Sequence, residues 1–232
     1  MKGIDISLTK NRNEPTPLVI TMGGHKANGP AGPGVTPFEF KRTLVDSFGD
    51  INYIFVRDLL KSWYFQGIDG LSRNYQENVR NLRSMLTEVN FNKSMIVGSS
   101  SGGFASILYG VLLGVDQVVA FGPQTFICKE KLKRYNEIRW RCDECFLDSE
   151  EYKKINHKYY DLSELRHRRY NTNIKIIIDK NYEPDLPHAD NISGLKNVTI
   201  DYIDGPGTHS VAGYLKTENK LLDYFNFLVD GR

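Results

Sequence analysis

Cysteine is scarce: the chain has three, Cys128, Cys142 and Cys145. An odd number excludes a complete disulfide framework and fits reduced thiols. No apolar run is long enough to span a bilayer, and the opening segment MKGIDISLTKNRNEP has no signal-peptide apolar region. No membrane insertion is therefore expected, and a cytoplasmic location is the default expectation. Charge of one sign is also lacking, since 30 Lys and Arg stand against 28 Asp and Glu for a net charge of +2. That excess is too small to argue for a nucleic-acid surface, so no nucleic-acid partner is expected. No internal repeat is visible. The close cysteine pair in CDEC, 142–145, has metal or redox spacing, but no second CxxC accompanies it. His157 or Cys128 would have to complete a zinc site, so the plain reading is thiols in a polar insertion, with no metal.

What remains is an ordinary globular composition, 40% hydrophobic and 25% charged over 232 residues, enough for one sizeable core and read as a single domain, 1–232. Short β-rich apolar segments alternate with longer amphipathic ones, the pattern of a mostly parallel central sheet with helices on both faces. Strands are expected over 4–8, 17–22, 52–56, 94–97, 117–121, 174–178 and 198–203. A helical stripe runs through Val79, Leu82, Met85, Leu86 and Val89, and another through Tyr214, Leu215, Leu221, Leu222, Phe225 and Leu228. Two segments break the alternation. One is the Gly/Pro-rich loop GGHKANGPAGPGVT, 23–36; the other is the polar, aromatic stretch 125–173.

The stretch MIVGSSSGGFASILYG contains one G-x-S-x-G register: Gly98, Ser99, Ser100, Ser101, Gly102. The pentapeptide alone is weak, but KSMIV before it reads as a strand, and Phe104, Ile107, Leu108, Val111 and Leu112 after it follow a helical period. Strand, sharp turn and helix are what a nucleophile elbow requires, with glycines where side chains would collide. Such a turn lifts the Ser100 hydroxyl clear of the sheet edge. Two plainer readings compete: glycines for close helix packing, or a phosphate-cradling loop. The Walker lysine and G-x-G-x-x-G spacing of the latter are absent.

A serine hydroxyl needs a base, and the base needs a third group to orient it. His209, in YIDGPGTHSVAGYL between the last strand and the last helix, is best placed among the five histidines. The acid is sought in IKIIIDKNYEPDLPHADN, where Asp185 lies deep enough in the loop to turn back toward His209; Glu183 and Asp179 stay open as alternatives. Oxyanion donors are expected from the Ser101 amide and from the loop after PLVITM, where Gly23, Gly24 and His25 sit, with Gly24 chosen because glycine lets the backbone face the pocket and His25 as the alternative.

On these residues the chain resembles the α/β-hydrolase superfamily: GSSSGG at the elbow, an acidic loop after IKIII, and GTHSV before the last helix. The resemblance implies the α/β-hydrolase fold, a Ser100–His209–Asp185 triad, an oxyanion site built from Ser101 with Gly24 or His25, and no cofactor. The acid loop lacks the short Gly-x-x-Asp arrangement common in that superfamily. FVRDLLKSWYFQGIDG, AFGPQTF and DLPHA are similar to segments of a bacterial group of such proteins, relatives of which act on surface polysaccharides as O-acetyltransferases. The superfamily often inserts a lid where 125–173 lies, so that segment resembles a cap. Its RYNEIRWRC and RHRRY clusters would meet an anionic or sugar substrate or form a solvated face. Trp63 and Tyr64, beyond FVRD, are expected near the carboxyl ends of the strands, either stacking on a sugar or packing inside.

The expected function is a serine esterase or thioesterase acting through an acyl-enzyme on a small-molecule or glycan-linked ester. An O-acyltransferase acting on a surface polysaccharide would use the same residues. From another class, the chain would be a non-catalytic binding module on a hydrolase fold.

Overall fold

The runs LVITM and NYIFV are buried at every position, as in strands covered on both faces. In the computed structural model, which describes residues 3–10, 13–25, 38–139, 146–155 and 157–229, they form β2 (Leu18–Met22) and β3 (Asn52–Val56). With β1 (Ile4–Ser7), β4 (Ser94–Ser99), β5 (Gln117–Phe121), β6 (Asn173–Asp179) and β7 (Val198–Ile203) they build one seven-stranded sheet. Its order is β1-β3-β2-β4-β5-β6-β7; β1 is antiparallel to β3 and the other neighbours are parallel. Each strand expected from the sequence is present; β3, β5 and β7 have the expected ends, and those of β1, β2, β4 and β6 shift by one or two residues. The CDEC pair, most of the Gly/Pro-rich loop and the His157 side chain lie outside the description.

Alternate strand residues feed two cores. On one face α1 (Lys41–Phe48), α7 (Val211–Thr217) and a 3-10 stretch (Leu221–Leu228) bury Leu44, Leu215 and Phe225 against Val19, Val97 and Phe121. On the other, α2 (Tyr75–Thr87), α3 (Ser101–Leu113) and α6 (Leu186–Ile192) bury Leu82, Phe104 and Ile192 against Ile20, Ile96 and Ile176. Helix α2 starts where Asn74 accepts the Glu77 amide and Glu77 returns a bond from the Arg73 amide, a reciprocal cap of the kind that satisfies orphan donors. Its stripe packs as the periodicity indicates, with Leu82 fully buried.

The C-terminal stripe departs from expectation. Helix α7 ends at the polar TENK run, where Asn219 takes a left-handed conformation with φ 57°. The chain restarts in 3-10 turns, which resets the register: Leu221, Phe225 and Leu228 are buried, whereas Leu222 is exposed.

Between β5 and β6 the chain forms α4 (Lys129–Arg134), α5 (Glu150–Lys154) and short 3-10 turns. Polar overall, this segment is anchored by rings. Tyr152 stacks on Tyr160 at 4.4 Å, and Phe65 meets Tyr160 edge-on at 4.9 Å, contacts that contribute about 0.5–1.5 kcal/mol each beyond area burial. Among the described residues no helix is long and apolar enough to cross a membrane.

Candidate active site

The carboxyl ends of the parallel strands share one edge of the sheet, where α/β sheets bind ligands. There β4 ends at Ser99 and α3 begins at Ser101, leaving Ser100 alone to turn the chain at φ 54° and ψ −121°. A non-glycine residue held in such a region costs about 1–3 kcal/mol and needs surroundings that over-determine it. The surroundings do so. A β-carbon on Gly98 would lie 2.4 Å from the Gly102 carbonyl oxygen, and one on Gly102 would lie 2.1 Å from that of Met22. Glycine is required at both positions because backbone is too close for any side chain.

His209 lies in the loop after β7. Its Nε2 is 2.9 Å from Ser100 Oγ, and its Nδ1 is 2.8 and 3.0 Å from the two carboxylate oxygens of Asp185. The structure thus brings together the serine, the histidine and the first of the three acids. Asp185 is fully buried at the end of a 3-10 turn (Glu183–Asp185) leading into α6, whereas Glu183 is exposed. Asp179, at the end of β6, does different work. Its carboxylate accepts the backbone N–H groups of Gly205, Gly207 and Thr208 at 3.2, 2.7 and 2.9 Å, shaping the loop that carries His209. Burial would raise its carboxyl, but these backbone donors outweigh that and hold it below the ordinary range.

Asp185 has a second partner. Arg139 Nη1 donates to its Oδ1 at 2.8 Å, and Nη2 donates to the Pro184 carbonyl at 3.0 Å. The same guanidinium is gripped by Glu137, whose two oxygens each lie 2.9 Å from Nε. Burial would raise the Glu137 carboxyl, yet bonds from His188 and Arg139 bring it down to about 2. His188 is fully buried; its Nδ1 accepts the Thr125 amide at 3.1 Å, and its ring stacks on Phe126 at 4.0 Å. The RYNEIRWRC cluster therefore includes a cation spent on the acid loop, while Arg166, His167, Arg168 and Arg169 of RHRRY are exposed. Neither Arg139 nor Glu137 carries a motif; their partners lie across the insertion.

On the other side of Ser100, the Ser101 amide opens α3. The Gly24 amide does not face the pocket as a spare donor: it donates to Glu39 Oε2 at 2.8 Å. His25, next in the chain, lines the same pocket. Burial, and then the charge of Lys61, lower its imidazole to about 4, so the ring is neutral at pH 7. Trp63 and Tyr64 do not line the pocket. Both have left-handed backbones, φ 52° and 65°, that turn the rings inward to 1% and 0% exposure. Trp63 Nε1 donates to Gln124 Oε1 at 2.6 Å and packs on the His25 ring at 4.4 Å, while the Tyr64 hydroxyl donates to the Gly23 carbonyl at 2.9 Å. They brace the loop after β2 from behind, which corrects the expectation of sugar stacking.

The cavity in front of Ser100 holds about 400 Å³ and is lined by Glu39, Ser99, Tyr182, His209 and Val211 among others, with no described residue from 125–173. Among the described residues no cluster of three His, Cys, Asp or Glu could hold a metal. Chemically, an imidazole within hydrogen-bond reach of a half-buried hydroxyl on a strained turn can take its proton, and a carboxylate on Nδ1 fixes the required tautomer.

No family model and no curated protein matches the chain. Solved structures do. It is similar to the capsule O-acetyltransferase of Neisseria meningitidis serogroup A, at 15% identity and a TM-score of 0.63 over 96% of this chain and 92% of that one. It is also similar to FphF, a fluorophosphonate-binding serine hydrolase of Staphylococcus aureus, at 14% identity and 0.61 over 99% and 92%. S-formylglutathione hydrolase FrmB of Staphylococcus aureus aligns at 12% identity and 0.62 over 95% and 91%. The chain has the α/β-hydrolase fold.

Proposed function

We propose that this α/β-hydrolase-fold protein is a serine esterase that works through an acyl-enzyme on a small-molecule or carbohydrate-linked ester. The observation that carries the reading is the unbroken chain from Ser100 Oγ through His209 to Asp185, at 2.9 and 2.8 Å, on a strained elbow. His209 takes the Ser100 proton as Oγ attacks the ester carbonyl. The tetrahedral oxyanion is received by backbone amides, and the imidazolium returns its proton to the leaving alcohol. Water, activated by the same imidazole, then attacks the acyl-enzyme and releases the acid. Each step uses a group of this chain, and none calls for a cofactor.

A second reading, acyl transfer to a sugar hydroxyl, is favoured by the likeness to a capsule O-acetyltransferase over nearly the whole chain. It differs only in what deacylates Ser100. A fluorophosphonate probe with mass-spectrometric mapping tests the shared step. An adduct on Ser100, absent in Ser100→Ala and strongly reduced in His209→Ala, is expected; no adduct on folded protein would favour a non-catalytic binding module. A labelled acyl donor offered with candidate glycans then separates the two enzymes, since transfer leaves label on the glycan and hydrolysis leaves only free acid.

A further inference from the structure

Glu39 belongs to no motif, yet it enters the Ser100 pocket and touches both chain segments that shape it. Strands β2 and β4 are parallel neighbours whose register ends at Met22 opposite Gly98. Beyond that pair the ladder stops, and the two chains diverge into the loop at Gly23 to His25 and into the elbow. Glu39 spans the gap: Oε2 accepts the Gly24 amide at 2.8 Å, and Oε1 accepts the Ser99 hydroxyl in a short hydrogen bond. Gly24 sits so close to the elbow that a β-carbon there would lie 2.9 Å from the Ser99 carbonyl oxygen and 3.4 Å from the Ser100 β-carbon. A small movement of this loop therefore moves backbone donors relative to Ser100.

We propose that Glu39 is a positioning residue of the oxyanion site: its carboxyl ties the Gly24 amide to the Ser99 hydroxyl where the β2–β4 ladder ends, fixing the loop after β2 against the elbow that carries Ser100 and the Ser101 amide. The inference rests on Ser100 being the nucleophile. Burial pushes the Glu39 carboxyl above the ordinary glutamate range, partly offset by the Ser99 and Gly24 bonds, and no cation pairs with it among the described residues. A group in that setting acts through hydrogen-bond geometry rather than through charge. Tyr64 and Trp63 hold the same loop from the core side, so Glu39 supplies the restraint on the pocket side.

The test is steady-state hydrolysis of p-nitrophenyl acetate by wild type, Glu39→Ala, Glu39→Gln, Ser99→Ala and Ser100→Ala, with folding checked by circular dichroism. Losing a placed oxyanion donor costs about 10²-fold in kcat, so Glu39→Ala should fall by about that factor with KM within about threefold. Glutamine can accept from Gly24 and donate to Ser99, whose hydroxyl rotates to accept, so Glu39→Gln should recover to within about fivefold of wild type. If Glu39→Ala does not fold, Ser99→Ala breaks the same tie from the other end, with an expected kcat loss of about tenfold. Glu39→Ala within twofold of wild-type kcat, or a rise in KM alone, overturns the inference, as does Glu39→Gln no better than Glu39→Ala. Turnover surviving in Ser100→Ala would instead overturn the nucleophile reading itself.

Discussion

Two carboxyl groups serve opposite sides of Ser100 in different electrical settings, Glu39 in the pocket itself and Asp185 buried behind His209. On the wall toward β2, Glu39 meets a backbone amide and a hydroxyl, and the loop behind it is held by Tyr64 and Trp63. On the wall toward β6, Asp185 lies between the His209 imidazole and the Arg139 guanidinium, and Glu137 balances Arg139 in turn. Charges alternate along the second wall, whereas no cation pairs with Glu39 among the described residues. A carboxyl among neutral donors serves as a geometric tie, whereas one flanked by cationic groups can act through its charge on a developing imidazolium.

The largest expected effect comes from the residue both walls serve. Ser100→Ala should lose covalent capture and lower turnover by about 10⁶-fold. Next, the two buried acids on the β6 side can be set against each other. Asp185→Asn should lower kcat by about 10⁴-fold by disturbing the His209 tautomer. Asp179→Asn should act mainly on folding, by about 1–3 kcal/mol in urea unfolding, through weakened backbone bonds in the 205–208 loop. Equal kcat losses in the two variants would erase the distinction between them.

Arg139 sharpens the ionic wall. Arg139→Met leaves the buried Glu137 without its two-toothed partner and should cost about 3 kcal/mol of stability, with kcat lowered about tenfold. Glu137→Gln/Arg139→Met should regain the stability and not the rate; recovery of both would reduce Arg139 to a structural cation.

The smallest effect distinguishes the walls by pH. Behind the neutral wall Asp58 accepts the amide of Tyr64, and burial pushes its carboxyl up to about 6 against these bonds. The folded state then holds the proton more tightly than the unfolded chain, so this contribution is full below about pH 4 and is lost as pH rises through about 6. Glu137, lowered to about 2, runs the other way: its contribution is present above about pH 4.5 and is lost as pH falls through about 2. Urea midpoints of wild type and Asp58→Asn between about pH 4 and 6.5 test the first window, where the variant should show the flatter profile. Parallel profiles would mean that Asp58 is not held as described.

The parts legible in the sequence were those with local causes. G-x-S-x-G between an apolar strand and an apolar helix marks a turn whose demand for glycine is local in the chain, and the structure meets it at Gly98 and Gly102. The acid was harder to read, because Asp179, Glu183 and Asp185 share one loop and differ only in what each faces. Trp63 and Tyr64 could have pointed either way; their left-handed backbones turned them inward. Glu39 gave no signal, and Arg139 was visible only as part of the basic cluster RYNEIRWRC, since their partners lie 60 and 46 residues away at Ser99 and Asp185.

By itself the sequence determined the alternation of strands and helices, the elbow at Ser100 and the loop that carries His209. Hydrophobic period and glycine sterics act over a few residues and leave their mark in the order of the chain. The tertiary structure alone decided which acid meets His209, that the Gly24 amide is taken by Glu39, and that the insertion reaches Asp185 through Arg139. Those pairings depend on which distant groups the sheet brings within about 3 Å, a range at which hydrogen bonds discriminate sharply.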